Sequence, residues 1–299
     1  MLEILTSVIG PVVIVVAVGA IVGHRIGLET TTLSKIAFWI LGPAFMFDGL
    51  ATADLAGDAV LGLAGAAITS FVAAGFVGAA LSKMLGSTVE NLSADVVSST
   101  YGNVGNAGIA ICVFALGDGV RPSAIVVMVV INTIGVVLGV ALATARTQSV
   151  WVAVRTGITT PLTLGALLAV PVNYFDLALP DWFDRPVGLI ADALIPVMLL
   201  TLGLQLRKVD LARPEPGVFA SAPAKLIVAP VAAYFAAQAL GLDDVNAGVV
   251  LMQASMPPAV FTMLVALEHD LAPRRVTSAL VTLTGLSLLT VPLAVFVAR

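Results

Sequence analysis

Charged residues are scarce in this sequence. Only 11% of its 299 residues are Asp, Glu, Lys or Arg, whereas 59% are hydrophobic. Soluble domains carry roughly 25% charged residues, and their surfaces cannot hide so large an apolar fraction. The composition therefore excludes a soluble globular protein and predicts a membrane protein that crosses the bilayer several times.

Cysteine and histidine are also rare. The single cysteine, Cys112, cannot form a disulfide within the chain, and His24 and His269 lie far apart at predicted helix ends. Neither a metal-ligand spacing nor a nucleophile beside a base is present at membrane depth, so an intramembrane enzyme is not favoured. The net charge of −4 argues against nucleic acid as a partner, and no GxxxxGK[ST] motif indicates ATP binding. We expect no bound cofactor or metal.

Long apolar runs dominate what is present. A membrane-spanning helix needs about 20 apolar residues. Ten such segments can be placed, at 4–23, 31–50, 59–82, 94–116, 122–144, 152–172, 187–206, 218–240, 246–267 and 276–298. The sequence thus predicts an all-α membrane protein with ten transmembrane helices and no soluble domain.

Basic residues orient these helices. With the N-terminus outside, ten Lys or Arg residues fall on the cytoplasmic side, against Arg121, Arg185 and Arg299 on the outer side. Cytoplasmic loops are enriched in basic residues, so both termini are predicted to face outward from a cytoplasmic (inner) membrane. Lys225 lies within the eighth segment, toward its predicted cytoplasmic end, where a long side chain can reach the interface. Asp95 is interpreted as helix-end chemistry at the cytoplasmic start of the fourth segment.

The stretch Tyr101–Ile109, YGNVGNAGI, interrupts the fourth apolar segment. Each of its three glycines costs a helix about 1 kcal/mol relative to alanine. The Pro257-Pro258 pair interrupts the ninth segment, because proline removes a backbone donor. In lipid, backbone groups freed by a break must be satisfied by protein or water. Both breaks are therefore predicted to line a cavity.

The two halves of the chain echo one another. ILGPAFMFDGL in the second segment and LIPVMLLTLGL in the seventh each carry an early proline and a late glycine. Five segments per half is an odd number, so tandem halves would have opposite topology, as in many secondary transporters. We predict two inverted repeats, 1–145 and 146–299, whose broken helices 4 and 9 cross at the bilayer midplane. Their half-helix N-termini would present positive dipole ends to an anion.

Four segments resemble the auxin efflux carrier family of membrane transporters. They are, in chain order, LSKIAFWILGPAFMFDGLATADL, STYGNVGNAGIAICVFALGDG, IADALIPVMLLTLGLQL and ASMPPAVFTMLVALEHDL. Asn103 falls at the family's motif asparagine and Pro257 at its motif proline. Ala110 stands where many members have proline, and Gly102 where plant members have proline, so plant-like auxin recognition does not follow.

The resemblance implies a ten-helix transporter similar in architecture to bile acid–sodium symporters. A scaffold of helices 1, 2, 6 and 7 would support a transport subdomain of helices 3–5 and 8–10, and homodimers are expected. The implied substrate is a small organic anion, such as a carboxylate, moved by alternating access. The coupling ion is left open between H⁺ and Na⁺, or none. A sodium-coupled carrier like the bile-acid symporters is the alternative, whereas no filter sequence or signalling domain supports a channel or sensor.

The predicted substrate site lies at the two breaks. Its candidate residues are Asn103, Asn106, Tyr101, Gln253, Ser255, Pro257 and Pro258. Amides and hydroxyls can donate to a carboxylate, a tyrosine ring can stack on a flat substrate, and the prolines shape the backbone. The alternative interpretation is that the polar side chains only hold the unwound backbone in place.

Asp48 and Asp192 are the candidate coupling residues. A carboxylate within a span is costly and by default indicates function, so Asp48 is a candidate proton carrier unless the outer helix end leaves it hydrated. Asp192 alternatively complements a helix N-terminus. Polar groups at membrane depth mostly bond across helices, which leaves secondary candidates: Asn132, Thr201 and Gln205.

Overall fold

The computed structural model describes residues 2–144, 149–208, 214–268 and 271–299. Every regular element in these ranges is helical, and no strand is formed in them. In chain order the helices are α1 (Leu5–Gly23), α2 (Thr30–Ala51), α3 (Gly57–Met84), α4 (Val89–Thr100), α5 (Val104–Leu116), α6 (Asp118–Leu142), α7 (Val150–Ile158), α8 (Pro161–Tyr174), α9 (Asp181–Arg207), α10 (Val218–Ala239), α11 (Asp244–Ala254), α12 (Val260–Glu268) and α13 (Pro273–Ala298).

Seven of these helices are long and apolar enough to cross a membrane, namely α1, α2, α3, α6, α9, α10 and α13. Each overlaps one of the apolar segments found in the sequence. Large apolar side chains such as Leu61, Phe76 and Leu289 stay exposed on them, as expected where lipid replaces water. The prediction of an all-α integral membrane protein is confirmed for the described residues.

The sixth predicted segment is a bent pair of helices. α7 and α8 meet at an angle of 60°. α7 stops where the Thr159 N–H donates to the Arg155 carbonyl oxygen, and the Thr160 hydroxyl then caps α8 by accepting the Thr163 N–H over 3.3 Å. Pro161 follows at the first helical position, which needs no N–H donor. Local capping chemistry therefore divides an apolar run that looks continuous in the sequence.

The fourth and ninth segments are each divided into two helices, as predicted. Residues 101–103 separate α4 from α5, and residues 255–259 separate α11 from α12. The two breaks thus lie at the glycine-rich stretch and at the proline pair, where the sequence predicts them.

Two sets of helices pack around these breaks. α1 packs against α9, and α2 packs against both α8 and α9; α3 packs against α4, α6 and α10, and α11 packs against α13. Glycines allow the closest approaches. A Cβ at Gly203 would overlap the Val16 backbone between α9 and α1, and one at Gly78 would overlap the Ser99 side chain between α3 and α4. Small residues let membrane helices approach closely.

Candidate functional site

The two helix breaks contact each other through their backbones. Gly102 and Pro258 form an isolated antiparallel bridge. The Asn103 N–H donates to the Pro257 carbonyl oxygen over 2.7 Å, and the Ala259 N–H donates to the Tyr101 carbonyl oxygen over 3.1 Å. Backbone groups released from one helix are therefore satisfied by groups released from the other, as a low-dielectric interior requires.

The local sequence explains this geometry. A Cβ at Gly102 would lie only 3.3 Å from the Met256 carbonyl oxygen. Glycine therefore lets the backbone of the first break approach that of the second break closely. Pro257 and Pro258 have no N–H to leave unpaired. The Thr262 hydroxyl donates to the Ala259 carbonyl oxygen over 2.7 Å as the next helix begins. We call this paired region, residues 101–103 and 255–259, the crossover.

A groove of about 250 Å³ runs along one side of the crossover. Asn103, Ala107 and Ile111 supply one wall at helical spacing, and Met256, Pro257 and Pro258 continue it; side chains of α1, α9 and α13 complete it. Its polar side chains are Asn103, Thr284 and Ser287, and no charged residue lines it among the described residues.

Two helix N-termini lie beside this mostly apolar groove. α5 begins at Val104 and α12 at Val260, so both half-helices start at the crossover. The first N–H groups of a helix lack intrahelical acceptors and carry the positive end of its dipole. The Asn103 side chain makes no hydrogen bond to any described residue, which leaves its amide available to a ligand.

Tyr101 and Asn132 pair with one another outside the groove. The Tyr101 hydroxyl donates to Asn132 Oδ1 over 2.6 Å, and its ring lies 5.4 Å from that of Phe261. A Cβ at Gly135 would overlap the Tyr101 ring, so the absence of a side chain at Gly135 leaves the space that this ring occupies. Tyr101 therefore contributes its backbone carbonyl to the crossover, while its side chain packs against Asn132 and Phe261 outside the groove.

The other residues predicted for the substrate site divide in three. Pro257 and Pro258 line the groove together with Asn103. Asn106 is half-buried outside the groove lining, and the Ser255 hydroxyl donates to the Leu251 carbonyl oxygen at the end of α11. Gln253 is fully buried, donates through Nε2 to the Ala124 carbonyl oxygen over 3.3 Å, and leaves Oε1 without a partner.

The coupling candidates lie away from both the groove and the crossover. Asp48 is partly buried one turn before the end of α2. Asp192 is largely exposed and pairs with Arg121 over 3.2 Å. Of the secondary candidates, the Thr201 hydroxyl donates to the Val197 carbonyl oxygen within α9, and Gln205 Oε1 is buried without a partner.

Lys225 lies beside the crossover, at a position that the sequence did not predict. The interpretation that its side chain reaches the interface is wrong, because it is only 3% exposed and Nζ donates to the Thr100 carbonyl oxygen over 3.4 Å. The signal available in the sequence was a lysine inside an apolar segment with prolines on both sides, at 223 and 230.

Asp95 and Arg275 form a buried ion pair between α4 and α13. Arg275 donates through Nε to Oδ1 and through a terminal nitrogen to Oδ2, both over 2.7 Å, and the Ser82 hydroxyl donates to Oδ2 over 2.6 Å. Helix-end chemistry was the wrong interpretation of Asp95, which lies inside α4 and is 2% exposed. The pair ties α4 to α3 and α13.

Comparison with known proteins identifies the family. The model of a family described as "Membrane transport protein" matches residues 144–295, which is just over half of the chain. The chain belongs to this family. It corresponds to the auxin efflux carriers that the sequence motifs resemble, so that prediction is confirmed. The match falls on the second of the two predicted halves.

Two relatives carry the same general description. An uncharacterized transporter of Methanocaldococcus jannaschii is 22% identical over 276 residues, covering 87% of each chain. An uncharacterized transporter of Methanothermobacter thermautotrophicus is 29% identical over 107 residues, covering 36% of this chain and about a third of that relative. The chain is therefore a membrane transport protein by family, and its substrate is a separate question.

Proposed function

We propose that this chain is a secondary-active or facilitative transporter that moves a small organic anion by alternating access. The observation that carries the proposal is the groove beside the crossover, where the free Asn103 amide and the starts of two half-helices meet an otherwise apolar wall. Helix N-termini bind anionic groups through backbone N–H donors and dipole charge. A carboxylate at the crossover with its carbon skeleton along the groove satisfies both features.

The packing supports a motion of one helix set against the other. α1 and α9 contribute Val12 and Leu202 to the groove, whereas Asn103 and Pro257 come from the crossover. The groove thus lies between α1 and α9 on one side and the crossover, α5 and α13 on the other. α1 and α9 belong to the set that also contains α2, and α13 belongs to the set that contains α3, α4, α10 and α11. In our proposal the first set is the scaffold and the second carries the crossover, so relative motion opens the groove to one side at a time.

The same helices support the proposed ten-span arrangement. Counting α4 with α5, α7 with α8, and α11 with α12 as single spans adds three to the seven long helices. Two breaks at matching places, one in each half, are what an inverted repeat of five spans would produce. The proposed repeats are residues 1–145 and 146–299.

Counterflow in proteoliposomes tests the proposal. The purified full chain is reconstituted in phosphatidylethanolamine and phosphatidylglycerol vesicles preloaded with unlabelled malonate, succinate, benzoate or benzenesulfonate. Uptake of the same labelled anion is then measured. We expect saturable uptake that needs internal anion for at least one of them. Absence of counterflow for the whole panel contradicts anion transport, and flux that neither saturates nor depends on internal anion indicates a channel instead.

A further inference from the structure

Lys225 places an ammonium group inside the protein against the first helix break. It lies on α10 in a wide, π-type turn, Ala224–Val228, a helix irregularity frequent at functional sites. Nζ donates to the carbonyl oxygen of Thr100, the last residue of α4. A Cβ at Gly102 would lie 2.9 Å from Nζ. The lysine therefore reaches the backbone immediately before Asn103 without lining the groove.

Few polar partners surround this ammonium group. A cavity of about 10 Å³, room for about one water molecule, lies beside it, and its polar lining residues are Ser70, Thr100, Lys225 and Gln253. The Ser70 hydroxyl donates to a backbone carbonyl of α10, and Gln253 Oε1 is buried without a partner. An ammonium group has three donors. Described residues accept one hydrogen bond from it, and none of the lining residues is a carboxylate.

Ionisable side chains on the surrounding helices do not neutralise it. On α3, α4, α6, α11 and α13 these are Asp58, Lys83, Glu90, Asp95, Asp118, Arg121, Asp244, Arg274 and Arg275. Only Asp95 lies away from the helix ends, and it is bound to Arg275. Tyr101, next to Thr100 in the chain, donates its hydroxyl to Asn132. A buried charge without a counter-charge is strongly destabilising, so a structural role alone would not favour lysine here.

The position of Lys225 Nζ at a helix break resembles that of a coupling ion in other transporters. In broken-helix transporters, carbonyl oxygens of unwound segments coordinate the coupling ion. Here the Thr100 carbonyl at such a break holds a positive nitrogen that is covalently attached to α10. We infer that Lys225 is the proton-coupling residue of the transport cycle, with its Nζ standing in for a bound metal cation. The inference rests on the anion transport proposed above.

The proposed cycle moves one proton with one anion. Neutral Nζ accepts a proton from water on the side where the anion enters, and the ammonium returns it to water on the side where the anion leaves. While protonated, Nζ adds positive charge beside Asn103 and holds the Thr100 carbonyl, which favours anion binding in the groove. A charge this close in a low-dielectric interior changes anion affinity by about tenfold or more. The same ammonium repels sodium from its cavity.

Lys225→Met tests the inference because methionine keeps much of the side-chain volume and removes the charge. The matched control is Lys83→Met, which removes an exposed lysine at the end of α3. Parent and variants are reconstituted with the panel anion that gives the highest counterflow. Counterflow, accumulation driven by a pH gradient and anion-dependent proton uptake are each measured at clamped membrane voltage. Protein-free vesicles correct for diffusion of protonated acid.

We expect the parent and Lys83→Met to accumulate the anion under an inward proton gradient. One pH unit supports up to about tenfold accumulation for one proton per anion. Lys225→Met should still show counterflow at saturating anion, with the half-saturating anion concentration raised about tenfold or more. It should lose the pH-driven accumulation and take up no protons with the anion. A sodium gradient should drive no accumulation in any of them.

Several results would overturn the inference while leaving anion transport intact. They are counterflow by the parent without response to a pH gradient, accumulation driven by sodium, and unchanged pH-driven accumulation by Lys225→Met. Absence of counterflow by the parent instead contradicts the proposed function itself. If Lys225→Met does not fold, Lys225→Arg replaces it, and its anion affinity should no longer vary with pH. Should neither variant fold, anion binding by the parent without proton uptake at alkaline pH contradicts the inference.

Discussion

The Asn103 N–H donates to the Pro257 carbonyl oxygen over 2.7 Å, joining backbone segments that lie half a chain apart. The same residue leaves its side-chain amide unbonded in the groove wall. Its backbone therefore serves the crossover and its side chain is free for a ligand, so the two roles can be separated by mutation.

Asn103→Ala should weaken anion binding without unfolding the protein. Losing a hydrogen bond to a charged ligand costs roughly 1.5–3 kcal/mol, about 10- to 150-fold in affinity. The backbone bond to Pro257 does not need the asparagine side chain, so the ligand-free melting temperature should change little. Calorimetric affinities with the panel anions and melting curves in detergent measure both quantities.

Asn106→Ala is the matched control, since it removes the same amide three residues further on, outside the groove lining. Its anion affinity should stay close to that of the parent. Equal losses in both variants would indicate a general effect on the broken helix. Unchanged affinity in Asn103→Ala would make the crossover asparagine a structural residue and move the site elsewhere.

The breaks could be predicted from the sequence because glycine clusters and proline pairs act on the backbone where they stand. That the two breaks lie together could be predicted only from the inverted-repeat argument. No local sequence pattern indicates the hydrogen bonds between them. Lys225 shows the limit most clearly. Its partner Thr100 lies 125 positions away, and apolar periodicity does not reveal which side of α10 faces the break. Snorkelling was the default interpretation for a lysine near a helix end.

Gly135→Ala should displace the side chain of Tyr101, whose backbone forms part of the crossover. An added Cβ would overlap the tyrosine ring, and overpacking of this kind typically costs about 1–3 kcal/mol. Because the Tyr101 carbonyl accepts the Ala259 N–H, we expect both a lower melting temperature and slower counterflow. Gly119→Ala on the same helix is the control, since nothing lies within 4 Å of its Cβ position. If Gly135→Ala behaves like the parent, the crossover does not depend on the position of the Tyr101 ring.

Asp95→Asn and Arg275→Gln should each destabilise the protein substantially. Removing one partner of a buried ion pair costs about 3–5 kcal/mol because the other charge stays buried and unpaired. The double variant should recover part of this loss, since it leaves neither charge. Asp181→Asn is the comparison, because its pair with Arg185 is largely exposed and such pairs contribute about 0–1 kcal/mol. Denaturant unfolding in detergent gives all four values, and additive losses in the double variant would contradict the coupling.

The misreading of Asp95 has a physical cause. A carboxylate a few residues after a predicted helix start is usually solvated, and a sequence gives no measure of burial at that point. The apolar segments placed the helix start at residue 94, whereas α4 begins at Val89. That shift of about one turn moved Asp95 from the helix end to its interior, where only Arg275, 180 positions away, could neutralise it.

Asp48→Asn should leave pH-driven accumulation intact if Lys225 carries the proton. Asp48 is partly buried near the end of α2 and lines neither the groove nor the small cavity beside Lys225. Accumulation and counterflow, measured side by side with Lys225→Met, should therefore match the parent. Loss of accumulation with normal counterflow would instead assign proton coupling to Asp48, as the sequence first suggested.

The orientation in the membrane can be tested with two engineered cysteines on a Cys112→Ala background. Cys112 is buried, so its replacement removes little reactivity but makes the labelling unambiguous. Ser149→Cys lies at the exposed start of α7, within the predicted cytoplasmic connection 146–151, part of which lies outside the described residues. Asp181→Cys lies at the exposed start of α9, in the predicted outer connection 177–185.

A membrane-impermeant maleimide added to sealed cells should label Asp181→Cys and spare Ser149→Cys. Permeabilised cells should label both, which shows that each thiol is reactive. The expectation follows from the excess of basic residues on one side, although Arg275, counted on that side, is buried against Asp95. Labelling of Ser149→Cys alone in sealed cells would show that the topology is the opposite of the predicted one. Because the crossover is built from both halves, that inversion would exchange the two entrances of the groove and leave the site chemistry unchanged.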